Sequence, residues 1–100
     1  MTRPSYSEYI RHAIRFYARY TGRKQFNTEV DKANWWSCYN VIKTYAKRDR
    51  EVLLYVYGAF DTLADNVYVM AKKYNIDQNI IWDMMKEFER KVAIERGLWV

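Results

Sequence analysis

Asp61 and Asp65 stand one helical turn apart, the spacing at which two carboxylates could share a metal ion or divide acid from base. No histidine or third carboxylate accompanies them, so the pair reads as capping and dipole compensation at a helix start. Cys38 is the only cysteine and His12 the only histidine. A disulfide cannot close within the chain, and a Cys/His metal cluster cannot be assembled. Cys38 falls on the apolar side of its helix, where a thiol is packing, and His12 adjoins a row of arginines facing solvent. There is no nucleophile beside a base and no glycine-rich phosphate loop. The pattern predicts no catalytic residues, no metal, no cofactor and no enzyme.

Charge and hydrogen bonding remain. The net charge is +5, unevenly spread: residues 1–50 hold eleven Lys and Arg against four Asp and Glu, residues 51–100 six against eight. A basic half suits a polyanionic or acidic partner, although many basic faces are only solvated. Arg11, Arg15 and Arg19 recur every four residues, with Arg23 and Lys24 behind them. They form either a secondary phosphate-binding surface or a solvated polar face. The three stack on the side of their helix opposite the apolar face, so neutralising them together is expected to leave the melting temperature nearly unchanged. Lys72, Lys73, Lys86 and Arg90 could neutralise phosphates, and the amides of Gln78 and Asn79 suit bidentate contact with adenine edges. Trp36, Trp82 and Trp99 are candidate protein-interaction anchors, since Trp beside Arg or Lys is typical of interface hot spots.

The elements that must position these residues are helices. The 50% hydrophobic content fits one compact domain with a core, and three Gly and one Pro leave little punctuation for sheets. The expected fold is all-α, a single five-helix domain spanning 1–100. Tyr6 to about Tyr20 is strongly amphipathic, with Tyr6, Tyr9, Ile10, Ala13, Ile14, Phe16, Tyr17 and Tyr20 on one broad face. Asn27 or Thr28 caps a second helix reaching about Lys47, its inner half taking Val30, Trp35, Cys38, Val41, Ile42, Tyr45 and Ala46. Trp36 lies on the opposite side and is either covered by another neighbour, such as the first helix, or an exposed anchor. A third helix runs from about Arg48 to Tyr57 with Gly58 as its C-cap. Asp61 caps a fourth, Thr62 to Tyr74. The last and longest runs from Gln78 to about Arg96, with Ile81, Met84, Met85, Phe88 and Val92 buried, Gly97 as cap and Leu98 folded back. The N-terminus lacks an apolar signal core and no run approaches membrane-spanning length, which predicts no membrane and a cytoplasmic protein.

Within 67–86, VYVMAKKYNIDQNIIWDMMK, the spacing is that of a helix-turn-helix. Ala71 is small where two helices cross, Asn75 sits at a turn that needs left-handed backbone, and Asp77 follows as an N-cap. Met70, Tyr74, Ile76, Ile81 and Met84 fall where both helices face the core. An ordinary helical hairpin is the plainer alternative.

Residues 48–93 resemble region four of the bacterial sigma factor family and the sigma-like regulators carried by phages. The likeness starts at Arg50-Glu51-Val52-Leu53-Leu54 and continues through Ala71, Asn75-Ile76-Asp77 and Ile81 into the last helix. It divides the chain into two N-terminal amphipathic helices (6–47) and a region-four-like part (48–97). In that family the helix after the turn enters the major groove of a promoter, and the domain contacts RNA polymerase. The resemblance implies DNA-facing positions at Asp77, Gln78, Asn79, Trp82, Asp83 and Lys86, with Lys72 and Lys73 near the backbone. Trp82 and Asp83 stand where the family presents Arg, Lys, Ser or Thr; a carboxylate there can accept from a cytosine amino group. The leading expectation is a small transcriptional regulator that binds double-stranded DNA, with RNA polymerase as a further partner. The alternative is a protein-interaction module or inhibitor of phage or mobile-element type. It would bind RNA polymerase, a nucleic-acid enzyme or another acidic partner through exposed Trp and Arg.

Overall fold

The computed structural model of the protein describes residues 6–22 and 25–98, and every regular element among them is an α-helix. Helix α1 (Tyr6–Arg19) buries Ile10, Ala13, Ile14 and Tyr17, which recur at the three- and four-residue spacing of one helical face. The face is narrower than its sequence suggests, because Tyr9 and Tyr20 remain exposed.

Helix α2 (Glu29–Ile42) begins where the Thr28 hydroxyl accepts a hydrogen bond from the Asp31 amide at 3.0 Å. Trp35, Cys38, Val41 and Ile42 go inward as expected. Val30, in the first turn, and Ala46, beyond the helix end, do not: both are exposed, Val30 at 52%. The expected continuation to Lys47 is broken. The Thr44 and Tyr45 amides donate to the carbonyls of Val41 and Ile42 at 3.1 and 3.0 Å, and the Thr44 hydroxyl also bonds Val41 O at 2.7 Å. These three-residue closures tighten the last turn and end the helix.

Helix α3 (Lys47–Gly58) follows at once and buries Val52, Leu53, Val56 and Tyr57. Gly58 is not the left-handed cap that the sequence suggests, because the chain leaves α3 through Ala59 in extended conformation. Gly58 serves the crossing with α1 instead: a Cβ there would lie 3.2 Å from the Ala18 Cβ.

Helix α4 (Leu63–Tyr74) is capped by Thr62 rather than Asp61; the hydroxyl accepts from the Asp65 amide at 3.1 Å. The hydroxyl is one residue nearer the orphan amides, which leaves the Asp61 carboxylate exposed. Asn66, unforeseen in the core, is 1% exposed and donates to the carbonyl of Val56 at 2.9 Å, fastening the α3–α4 connection. Helix α5 (Gln78–Glu95) is the longest and buries Ile81, Met85, Phe88, Val92 and Ala93, with Met84 half-buried. Gly97 closes it at φ +75°, and the Leu98 amide returns to Ala93 O at 2.8 Å with its side chain on the core.

One cluster of buried side chains draws on all five helices. Helix α1 packs on α2, α3 and α5, while α4 packs on α3 and α5. Among the described residues no helix is long and apolar enough to cross a membrane.

Candidate functional site

The α4–α5 junction is built by three short-range devices. Asn75 holds φ 53° and ψ 52°, the left-handed region, and its amide donates to Ala71 O. The Ile76 amide bonds the same carbonyl at 3.0 Å, so two amides close the end of α4 on one acceptor. Two residues on, the Asp77 carboxylate accepts from the Asn79 amide at 2.7 Å and caps α5. Asn tolerates the left-handed backbone because its short polar side chain strains it least after Gly. The turn therefore has the conformation expected from its residues.

Beyond the cap, Asn79, Asp83, Lys86 and Arg90 recur at three- and four-residue spacing on the exposed side of α5, and Gln78 is exposed at its start. Lys86 and Arg90 make no ion pair with any described residue. Trp82 differs from them: it is half-buried and packed against the core, so part of its indole supports the helix that presents the stripe. Ile80, 55% exposed, adds an apolar contact beside Asn79.

The two lysines that close α4 are not equivalent. Lys72 lies over the Tyr68 ring with its ammonium 5.5 Å from the centroid. Lys73 is ion-paired to Glu51 of α3. That hydrogen bond holds the Glu51 carboxyl below its ordinary range and raises the Lys73 ammonium above its own. Of these four candidate phosphate contacts, Lys72, Lys86 and Arg90 form no salt bridge with a described residue, and Lys73 is shared with the fold.

The arginine row of α1 is largely committed inside the molecule. Arg11 donates from Nε to the Glu89 carboxylate at 2.9 Å, and the buried Tyr57 hydroxyl donates to the same oxygen at 2.6 Å. Burial and the Glu89 charge raise the Tyr57 phenol well above its ordinary value. Arg19 donates to Gly58 O at 3.0 Å and lies 4.0 Å from the centroid of Phe60, itself 85% exposed. Arg15 is half-buried and borders a shallow depression with exposed His12. The row therefore does not lie free opposite the core: Arg11 is bound to Glu89, which removes the premise on which neutralising the row would leave stability unchanged. Arg23, Lys24 and Trp99 fall outside the described residues.

Trp36 is 45% exposed, and its ring meets Trp35 edge-on at 4.9 Å and Tyr39 at 5.5 Å. Its ring partners among the described residues come from its own helix, and the indole stays exposed rather than covered. A second polar cluster escaped the sequence reading. Arg96 donates to Asn34 Oδ1 at 2.6 Å and Asn34 Nδ2 to the Tyr9 hydroxyl at 3.0 Å, which ties the end of α5 to α2 and α1. Its members are 25 and 62 residues apart in sequence, and no local spacing announces them. Among the described residues no three of His, Cys, Asp or Glu gather as a metal site. Compared with models of known protein families, with curated proteins and with solved structures, the chain finds no match in any of the three.

Proposed function

We propose that the protein is a small DNA-binding regulator whose α4, turn and α5 form a helix-turn-helix resembling sigma factor region four, with α5 in the major groove. The observation that carries this reading is the left-handed Asn75 turn delivering an exposed polar stripe on α5. A short capped turn fixes the angle between two helices, and that angle decides whether the second can enter a groove. In this reading Gln78 and Asn79 read adenine edges and Asp83 accepts from a cytosine amino group. Lys72, Lys86 and Arg90 neutralise phosphates, with Lys73 contributing less because Glu51 competes for it. RNA polymerase is a further partner in the same reading.

The test is selection of a site from random duplex DNA at physiological salt, followed by two substitutions. Asn79→Ala weakens the selected site by about 1–3 kcal/mol and random DNA little, because a base contact carries sequence information. Lys86→Ala weakens both alike and lowers the salt slope by about one phosphate's share. No enriched motif, together with unchanged DNA affinity in Asn79→Ala and Trp82→Ala, rejects promoter recognition.

The second reading is a protein-interaction module, and the exposure of Trp36 favours it. There Trp36→Ala abolishes partner capture and leaves DNA binding untouched.

A further inference from the structure

A cleft of about 660 Å³ opens where the ends of α1 and α2 meet α3. That volume suits a small ligand or a few anchoring side chains. Tyr17, Ile42 and Leu54 form an apolar floor, and Lys43, Lys47 and Arg50 stand on the rim. All three cations are exposed, and none is ion-paired to a described residue. The one carboxylate of the lining, Glu51, is already held by Lys73. The cleft thus offers an apolar seat beside three cations that form no salt bridge with a described residue, and no residue of the α5 stripe lines it.

Two kinds of polyanion would answer that charge, and the rings of the cleft separate them. A single nucleic-acid strand needs open aromatic faces on which bases stack. Tyr39 is already stacked on Trp35, with centroids 5.4 Å apart and planes inclined by 11°, and the Lys43 ammonium lies 5.5 Å from its centroid. Tyr17 is buried and meets Trp35 edge-on. Tyr55 alone keeps an accessible ring without a ring partner among the described residues. One platform does not bind a strand, whereas an aliphatic or aromatic side chain needs only the floor that Ile42 and Leu54 supply.

We propose that this cleft docks an acidic peptide segment of a protein partner. A large apolar side chain seats between Ile42 and Leu54, and flanking Asp or Glu residues pair with Lys43, Lys47 and Arg50. The site is independent of the DNA reading and stands or falls separately.

Selection of peptides from a random display library against the full-length chain tests it. The expected peptides combine Leu, Phe or Trp with adjacent Asp or Glu. Measured by fluorescence anisotropy, they bind at least about tenfold more weakly to the double variant Lys47→Glu, Arg50→Glu, as removal of complementary rim charge demands. That variant keeps its fold, because acidic residues in the first turn of α3 favour the helix dipole, and an undiminished melting temperature checks it. Lys86→Glu lowers the net charge on α5 and leaves peptide affinity unchanged. The proposal is overturned if no peptide is enriched, if the enriched peptides lack acidic residues, or if the double variant binds them as well as the natural chain. It is also overturned if an oligothymidine strand, rather than a peptide, loses affinity in the double variant.

Discussion

Asn75 occupies backbone that nearly every other side chain strains to reach, and its replacement reads that strain directly. Asn75→Gly is expected to be neutral or stabilising in urea melts, whereas Asn75→Val costs on the order of 1–2 kcal/mol. Equal stability of the two variants contradicts the φ of 53°. Residues of this kind were legible in the sequence, because their role depends on neighbours one to five positions away. The same is true of Asp77 and Thr28, each an acceptor placed two or three residues before an orphan amide. Gly58 shows the limit of such reading. Glycine at a helix end suggests a left-handed cap, but the need here is set by Ala18, forty residues earlier in the chain. Two demands that glycine meets best, positive φ and close approach, look identical in sequence.

At the scale of elements, the helices announced themselves by their apolar period, and their pairings did not. The spacing in helix α1 predicts one face on the core and its arginines in solvent. In the fold it is flanked by α2, α3 and α5, so Arg11 on its side meets Glu89. The carboxylate is only 12% exposed and serves Arg11 and Tyr57 together. Arg11→Ala is therefore expected to destabilise by about 1–2 kcal/mol, because it leaves a sheltered carboxylate with one partner. Arg15→Ala is expected to stay within about 0.5 kcal/mol. Thermal or urea denaturation of the two single variants decides this, and equal effects would place Arg11 in solvent. The helix carrying Trp36 teaches a related point: a ring on the far side of an amphipathic helix has no second element to cover it unless the topology supplies one. The α5 stripe was legible as an exposed polar face, whereas the cleft over α3 was not, since its walls come from three helices separated by loops.

For the whole molecule, the aromatic load sets the response to alkali. Burial pushes the Tyr17 phenol up to about 12 from 10.0 and the Cys38 thiol up to about 12 from 9.0. Both groups hold their protons more tightly folded than unfolded. The stability they contribute is complete below pH 9 and is lost as pH rises through about 12. Tyr57, raised further by burial and Glu89, works in the same direction. A titration following tyrosinate absorbance together with helical circular dichroism is expected to show Tyr17 and Tyr57 ionising only as helix is lost. Ionisation of every tyrosine with the helices intact would contradict their burial. Because one core joins all five helices, the loss should be a single transition.

The position of α1 against α5 also orders events during synthesis. Arg11 and Glu89 are 78 residues apart, and Tyr9 meets Arg96 across 87. Helix α1 thus lacks one of its covers until α5 has been made, and part of its apolar face waits meanwhile uncovered. A nascent chain stalled before residue 78 would present that face to holding chaperones, whereas one continued through α5 withdraws it.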